Sequence, residues 1–153
     1  MTNYKIGFVG AGKMASAIIK GLIKTGFAKP EELIATQAEK DTLEEKSKLL
    51  GIKVISDNKE LANSVNTVFI ATKPNQVEGV LAEISPYITS EKLVVSIAAG
   101  VTTTKLEAGL PEGTRVIRVM PNTPALVGEG MSGMVGGKNA KTEDLEYIKE
   151  LLS

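Results

Sequence analysis

The sequence predicts an α/β fold in which helices cover both faces of a doubly wound, mostly parallel sheet. Short apolar segments alternate with helical patterns along the whole chain, as is typical of parallel sheets with right-handed crossovers. Near the start, over Tyr4–Ile19, a strand leads into a Gly-rich turn and then into a helix. The length of 153 residues suits one domain, and we assign it the range 1–153.

Strands are predicted where short apolar runs lie between turn residues or polar segments. The first of them contains Ile6, Phe8 and Val9. The predicted strands are Lys5–Val9, Leu33–Thr36, Lys53–Ile55, Thr67–Thr72, Leu93–Ile97 and Arg115–Val119, with a further candidate at Ser132–Val135.

Helices are predicted in the segments between these strands. Met14, Ile18 and Leu22 share one face of the first helix, which we expect to end before Gly26, and the second helix should end before Gly51. Further helices are predicted at Lys59–Asn63, Val77–Ser85, Thr104–Leu110 and Glu143–Leu152, the last with Thr142 as its N-cap.

The turn after the first strand carries a dinucleotide-binding fingerprint of the form G-x-G-x-x-A. Gly10 allows a sharp turn, Gly12 leaves room for a pyrophosphate, and Ala15 lets the helix pack close to the sheet. Free N–H groups at the helix start would then face the anion. The context favours a Rossmann-like NAD(P)-binding domain over the alternative, a tight turn that binds nothing.

The end of the second strand bears on the choice of cofactor. NAD enzymes place a carboxylate there on the ribose 2′-hydroxyl, but this strand ends in Thr36 and continues with Gln37. Thr36, Gln37 and Lys40 could instead donate hydrogen bonds or charge to a 2′-phosphate. We therefore expect NADP, with NAD as the alternative; the charges of Glu39–Lys48 also fit a solvated helix start.

Three further segments follow strands whose carboxyl ends should meet at one edge of the sheet. They are Ala71–Pro74, Ser96–Gly100 and Met120–Gly130, all rich in small residues or prolines. Each alone could be an ordinary strand-terminating turn. Together they predict a ligand site at that edge, where open α/β sheets bind their ligands.

Composition excludes several kinds of function. The 18 basic and 18 acidic residues leave no net charge to favour nucleic acid, and no apolar run approaches the length of a membrane span. The chain has no cysteine and no histidine, so we expect no catalytic side chain and no metal site of its own, and the chemistry should come from a bound nicotinamide cofactor. With no signal-peptide pattern at the amino terminus, we expect a cytoplasmic location.

A set of motifs then makes the chain resemble a known family. The segments GFVGAGKMA (Gly7–Ala15), DNKE (Asp57–Glu60), ATKP (Ala71–Pro74), VVSIAAGV (Val94–Val101) and RVMPNTPALVGEG (Arg118–Gly130) are similar to the cofactor domain of pyrroline-5-carboxylate reductase. The last is the most specific, because other nicotinamide families share the glycine fingerprint but not the Met-Pro-Asn-Thr-Pro run. The resemblance covers essentially all 153 residues in order.

The resemblance implies roles for particular residues. Gln37 matches a position near the adenosine ribose or its phosphate, and Asn58 matches a contact to the adenosine half. Asn122 and Thr123 match the mouth of the pocket, without a catalytic role. The cofactor-binding residues it implies are Val9, Gly10, Ala11, Gly12, Lys13 and Met14 in the pyrophosphate loop, Ala71, Thr72, Lys73 and Pro74 at the middle of the cofactor, and Ile97, Ala98 and Ala99 beside the nicotinamide.

The resemblance also implies an activity, the NAD(P)H-dependent reduction of the small-molecule substrate 1-pyrroline-5-carboxylate to L-proline. Members of the family form homo-oligomers through a helical carboxyl-terminal domain that also binds the substrate, and we expect that domain to be absent from residues 1–153. Two alternatives remain: a non-catalytic dinucleotide-binding module, and a related enzyme such as a prephenate or hydroxyacid dehydrogenase or a deazaflavin-linked NADP reductase.

Overall fold

A seven-stranded sheet forms the centre of the part of the chain that the structure, a computed structural model, describes: residues 4–121 and 131–152. Its strands are β1 (Tyr4–Val9), β2 (Leu33–Thr36), β3 (Lys53–Ile55), β4 (Val65–Ile70), β5 (Leu93–Ser96), β6 (Arg115–Pro121) and β7 (Met131–Gly136). They lie in the order β3-β2-β1-β4-β5-β6-β7. The pairs from β3 to β6 are parallel, and β7 is antiparallel to β6.

This order creates a point where the chain changes direction within the sheet. From β1 the chain moves outward to β2 and β3, and it then returns to the other side of β1 to form β4. The connections on the two sides leave a crevice beyond the carboxyl ends of β1 and β4, which is where doubly wound sheets bind ligands.

Helices cover both faces of the sheet, as the alternating sequence predicts. The helices are α1 (Lys13–Thr25), α2 (Leu43–Leu50), α3 (Asn58–Ser64), α4 (Val77–Ile84), α5 (Thr103–Ala108) and α6 (Thr142–Leu151). Apolar side chains of α1, α2 and α6 form one buried cluster with the sheet, and those of α3, α4 and α5 form the other. Among the described residues, no helix is both long enough and apolar enough to cross a membrane.

The first strand alternates its side chains between the two clusters. Ile6 and Phe8 face the side of α1, where the Phe8 ring stacks on Phe69 with centroids 4.8 Å apart. On the opposite side lies Gly7, and a Cβ atom there would come within 2.7 Å of the Leu61 side chain. The glycine thus lets α3 pack against β1 at short range.

Most element boundaries differ from the predicted ones by one or two residues. The fourth strand is displaced: it covers Val65–Ile70 rather than Thr67–Thr72, because buried Val65 already pairs with Tyr4. The candidate seventh strand exists and is antiparallel. Four short 3-10 helices, which we did not predict, lie at Pro30–Glu32, Lys40–Thr42, Pro74–Gln76 and Ser85–Tyr87.

The predicted N-cap of the last helix was wrong. Thr142 is the first residue of α6, and Lys141 precedes it as the cap residue. The backbone N–H of Lys141 donates to Oδ2 of Asp144 at 2.9 Å. The carboxylate at the third helical position therefore accepts from the N–H of the cap residue itself, as in the backward half of a capping box.

Candidate dinucleotide site

The turn after β1 is fixed to the strands on both sides of it. Gly10 has a backbone φ of +100°, and a Cβ atom there would lie 3.0 Å from the carbonyl oxygen of Ala71. Its N–H donates to the Thr36 hydroxyl at 3.2 Å, at the end of β2. The turn therefore lies at the switch point of the sheet, in a conformation that favours glycine.

The amino terminus of α1 opens into free space. Gly12 is the N-cap residue and provides no side-chain hydrogen bond, and nothing lies within 4 Å of where its Cβ would be. The first bond inside the helix runs from the Ser16 N–H to the Gly12 carbonyl at 2.9 Å. The N–H groups of Lys13, Met14 and Ala15 precede that bond and have no partner within the helix, so they can bind an anion.

A groove of about 540 Å³ runs from this turn across the carboxyl edge of the sheet. Eight of the residues that the family resemblance implies line it: Val9, Gly10, Gly12, Gln37, Asn58, Ala71, Thr72 and Lys73. Thr36, which we expected to face a 2′-phosphate, also lines it. Five residues line it that had not been predicted to bind: Ala38, Glu39, Ser56, Gln76 and Glu83.

Seven predicted residues lie outside this groove. Ala11 is buried against the sheet, Lys13 is exposed, and the Met14 side chain packs on the apolar cluster. Pro74 begins a 3-10 helix and lines a separate groove between α4 and α5. Ile97 and Ala98 are buried after β5, and Ala99 is exposed beside them.

The hydroxyl of Thr72 shows that the groove suits a polar ligand. Its Oγ1 atom is buried and has no hydrogen-bond partner among the described residues. Buried hydroxyls are almost always hydrogen-bonded, and the residue lines the groove directly beyond β4. Together with the open space at Gly12, this orphaned atom fits a bound phosphate-containing group.

The far end of the groove contains both amides and carboxylates. Gln37 donates through Nε2 to the Thr42 hydroxyl at 3.1 Å, and Asn58 donates through Nδ2 to Oε1 of Glu83 at 3.2 Å. Glu39 lines the groove close by, whereas Lys40, which we expected to face a 2′-phosphate, does not. The negative charge at this end is therefore larger than predicted.

Sequence reasoning did not place these carboxylates in the groove, for two different reasons. Glu39 lies three residues beyond β2, and its charge was assigned to a solvated helix start. Glu83 belongs to α4 and reaches the groove only because α4 packs beside α3. No local sequence pattern predicts that contact.

A half-buried lysine side chain lies at the carboxyl-terminal end of α3. Lys92 donates through Nζ to the carbonyl oxygens of Ala62 and Val65, at 2.6 and 2.8 Å, where α3 ends. Burial lowers the pKa of its ammonium group. Its contacts hold the end of the helix that carries Asn58.

Met120 and Pro121, which begin the Met-Pro-Asn-Thr-Pro run, are the last two residues of β6. Asn122 and Thr123, expected at the mouth of the pocket, lie outside the described residues. Within the described ranges, no group of His, Cys, Asp or Glu side chains is arranged to hold a metal ion.

Two known proteins that are similar to this chain are named as pyrroline carboxylate reductases. The chain is 46% identical over its whole length to the pyrroline-5-carboxylate reductase of Methanosarcina acetivorans, of which it covers 57%. It is 34% identical to the Plasmodium falciparum pyrroline carboxylate reductase, solved with NADP bound, with a TM-score of 0.82 over 99% of this chain and 55% of that one. The chain thus spans about half the length of these relatives.

A second solved structure shares the fold alone. The prephenate dehydrogenase of A. aeolicus has a TM-score of 0.79 but is only 12% identical, with 99% of this chain and 57% of that chain covered. The family model described as "NADP oxidoreductase coenzyme F420-dependent" matches residues 5–100, which is more than half of the chain. The chain therefore belongs to this NADP oxidoreductase family, and over its full length it resembles the cofactor domain of pyrroline-5-carboxylate reductases.

Proposed function

We propose that this chain is the cofactor-binding half of a reductase that converts 1-pyrroline-5-carboxylate to L-proline with NAD(P)H. The observation that carries the proposal is the groove itself, in which free N–H groups at α1, open space at Gly12 and the unpartnered Thr72 hydroxyl lie together. The similarity to named pyrroline-5-carboxylate reductases supports the substrate.

In this proposal, the chain binds and orients while a bound reduced nicotinamide supplies the hydride. The amides of Lys13, Met14 and Ala15 bind the diphosphate, and the segment Ala71–Lys73 lies along the middle of the groove. A cyclic imine is already polarised once it is protonated, so reduction requires position and exclusion of water more than acid–base side chains. A chain without histidine or cysteine is suited to this task.

We propose NADP as the cofactor, with NAD as the alternative. The absence of a carboxylate at the end of β2, where Thr36 and Gln37 stand, supports NADP. The NADP bound to the Plasmodium falciparum relative points the same way. Glu39 opposes it, because its charge would repel a 2′-phosphate.

Substrate binding requires a second part in this proposal. We propose that residues 1–153 bind the cofactor but turn over little or no substrate without the helical domain of the family. The homo-oligomeric state of the family and the cytoplasmic location expected from the sequence stay predictions.

Two measurements test the proposed function. Fluorescence titration of the purified chain with NADPH and with NADH should give saturable binding, tighter for NADPH. Pyrroline-5-carboxylate-dependent oxidation of NADPH should be near background for the chain alone and clear when the chain is extended by a carboxyl-terminal domain from the family. Robust turnover by the 153-residue chain alone would contradict the proposal that turnover requires the helical domain. Turnover only with another substrate would instead favour a related dehydrogenase, and binding without any turnover a non-catalytic module.

A further inference from the structure

We infer that Glu83 is a positioning residue that fixes the amide of Asn58, so that Oδ1 of Asn58 faces the groove and accepts a hydrogen bond from a ribose hydroxyl of the adenosine half. This inference rests on the proposed function, because it requires a bound dinucleotide. It assigns a role to a carboxylate on a different helix from the one that carries Asn58.

The contact between the two side chains determines which end of the amide faces Glu83. Nδ2 of Asn58 lies 3.2 Å from Oε1 of Glu83. An ionised carboxylate has only acceptor oxygens, whereas an amide has a donor end and an acceptor end. The NH₂ group must therefore face Glu83, and this orientation follows from the pairing itself.

The contact with Glu83 leaves the oxygen end of the Asn58 amide free for a ligand. With its NH₂ group on Glu83, Asn58 presents Oδ1 as an acceptor, and among the described residues no hydrogen bond to that oxygen is found. Both side chains line the groove, Asn58 half-buried and Glu83 exposed. Asn58 Oδ1 can thus accept a hydrogen bond from a ligand hydroxyl.

The backbone of Asn58 is held at the start of a capped helix. Asn58 is the first residue of α3, and Oδ1 of Asp57 caps that helix by accepting from the Lys59 N–H at 2.9 Å. Its backbone is therefore fixed, which leaves side-chain rotation as the main freedom. The contact with Glu83 restricts that rotation and chooses which end of the amide meets the ligand.

The choice of ligand atom follows from the geometry of the groove. The free amides of α1 place the diphosphate at the opposite end, beside Gly12, so the adenosine half extends toward Asn58. Its ribose carries hydroxyl donors in both cofactors, since NADP keeps the 3′-hydroxyl. A hydroxyl is the partner that an acceptor oxygen requires, whereas a phosphate dianion is not.

The test is a double-mutant cycle measured by binding. The variants are Glu83→Ala, Asn58→Ala and the double variant, with ADP-ribose titrated by calorimetry and NADPH and NADH by fluorescence. Glu83→Ala should weaken all three ligands by about three- to tenfold, the range of one hydrogen bond. In the Asn58→Ala background, the same change should have an effect below about twofold, because a residue that acts through another has no effect once that partner is gone.

Two further variants separate positioning from other effects. Glu83→Gln keeps an acceptor oxygen for Asn58 and should stay within about twofold of the unmodified chain. Glu78→Ala removes an exposed carboxylate from the same helix, outside the groove, and should leave all three affinities unchanged. Thermal unfolding of each variant reports whether it folds.

Several outcomes would overturn the inference. Additive losses in the cycle would mean that Glu83 does not act through Asn58. A gain in NADPH affinity alone for Glu83→Ala would mean that Glu83 acts by repelling the 2′-phosphate. If the chain with Glu83 intact binds none of the three ligands, the proposed function falls together with this inference; if it binds them and Glu83→Ala changes nothing, only this inference falls.

Discussion

Gly12 and Thr72 shape the groove in complementary ways. Gly12 leaves space open at the start of α1, and Thr72 offers a buried hydroxyl without a partner. The fold does not require glycine at position 12, because its φ of −79° is accessible to any residue and nothing lies within 4 Å of an added Cβ. Open space at Gly12 and an unsatisfied hydroxyl at Thr72 are better explained by a ligand than by the stability of the fold.

We therefore expect Gly12→Val to separate binding from folding. The valine side chain would enter the space in front of the free amides while leaving the backbone unstrained. Valine is a poorer N-cap than glycine and should lower the stability by about 0.5–1 kcal/mol without unfolding the chain. NADPH binding should weaken about tenfold or more, which corresponds to a steric cost of about 1.4 kcal/mol.

Gly79→Ala is the matched control for this substitution. Gly79 lies in α4 with nothing within 4 Å of its added Cβ, and it does not line the groove. Alanine there should stabilise the helix by about 0.5–1 kcal/mol and leave binding unchanged. If Gly12→Val bound NADPH as tightly as this control, the diphosphate would not lie in front of α1.

The alternation of strands and helices could be predicted from the sequence, because apolar runs and helix-terminating glycines mark the elements locally. Element boundaries were harder to predict: β4 begins at Val65 because this residue pairs with Tyr4 of β1, a contact that the local pattern does not contain. Thr142 was a reasonable cap residue by type, yet Asp144 performs the capping from inside the helix. At the site, the glycine turn was predictable from spacing, whereas Glu83 depends on how α4 packs.

The last helix is attached to the sheet by a buried ion pair that no sequence pattern indicated. Nη1 of Arg115 lies 2.6 Å from Oδ1 of Asp144, whose side chain is only 7% exposed, and Nη2 donates to the Glu91 carbonyl at 3.0 Å. The pair thus joins α6, β6 and the segment before β5.

Asp144→Asn should destabilise the protein by about 2–4 kcal/mol, because removing one partner leaves a mostly buried guanidinium without its counter-charge. Urea unfolding at neutral pH measures this. Glu44→Ala is the control, since the Glu44–Lys48 pair is largely exposed at 3.6 Å and should contribute at most about 0.5 kcal/mol. Equal effects of the two substitutions would show that the buried pair does not anchor α6.

The molecule as a whole places its ligand-binding groups where the sheet changes direction. Strand order β3-β2-β1-β4-β5-β6 brings the ends of β1, β2 and β4 together, so residues distant in sequence, such as Gly10, Thr36 and Thr72, meet at one edge. Two helical layers then enclose that edge from both sides. The topology, more than any single motif, assembles the groove.

The central claim is that the free amides at the start of α1 bind the diphosphate of a nicotinamide dinucleotide. The most direct test is to follow the backbone N–H signals of the ¹⁵N-labelled chain by NMR during titration with NADPH. We expect the signals of Lys13, Met14 and Ala15 to shift most strongly and to saturate together with the NADPH fluorescence. Saturable binding that leaves these three signals in place and shifts residues elsewhere would contradict the claim.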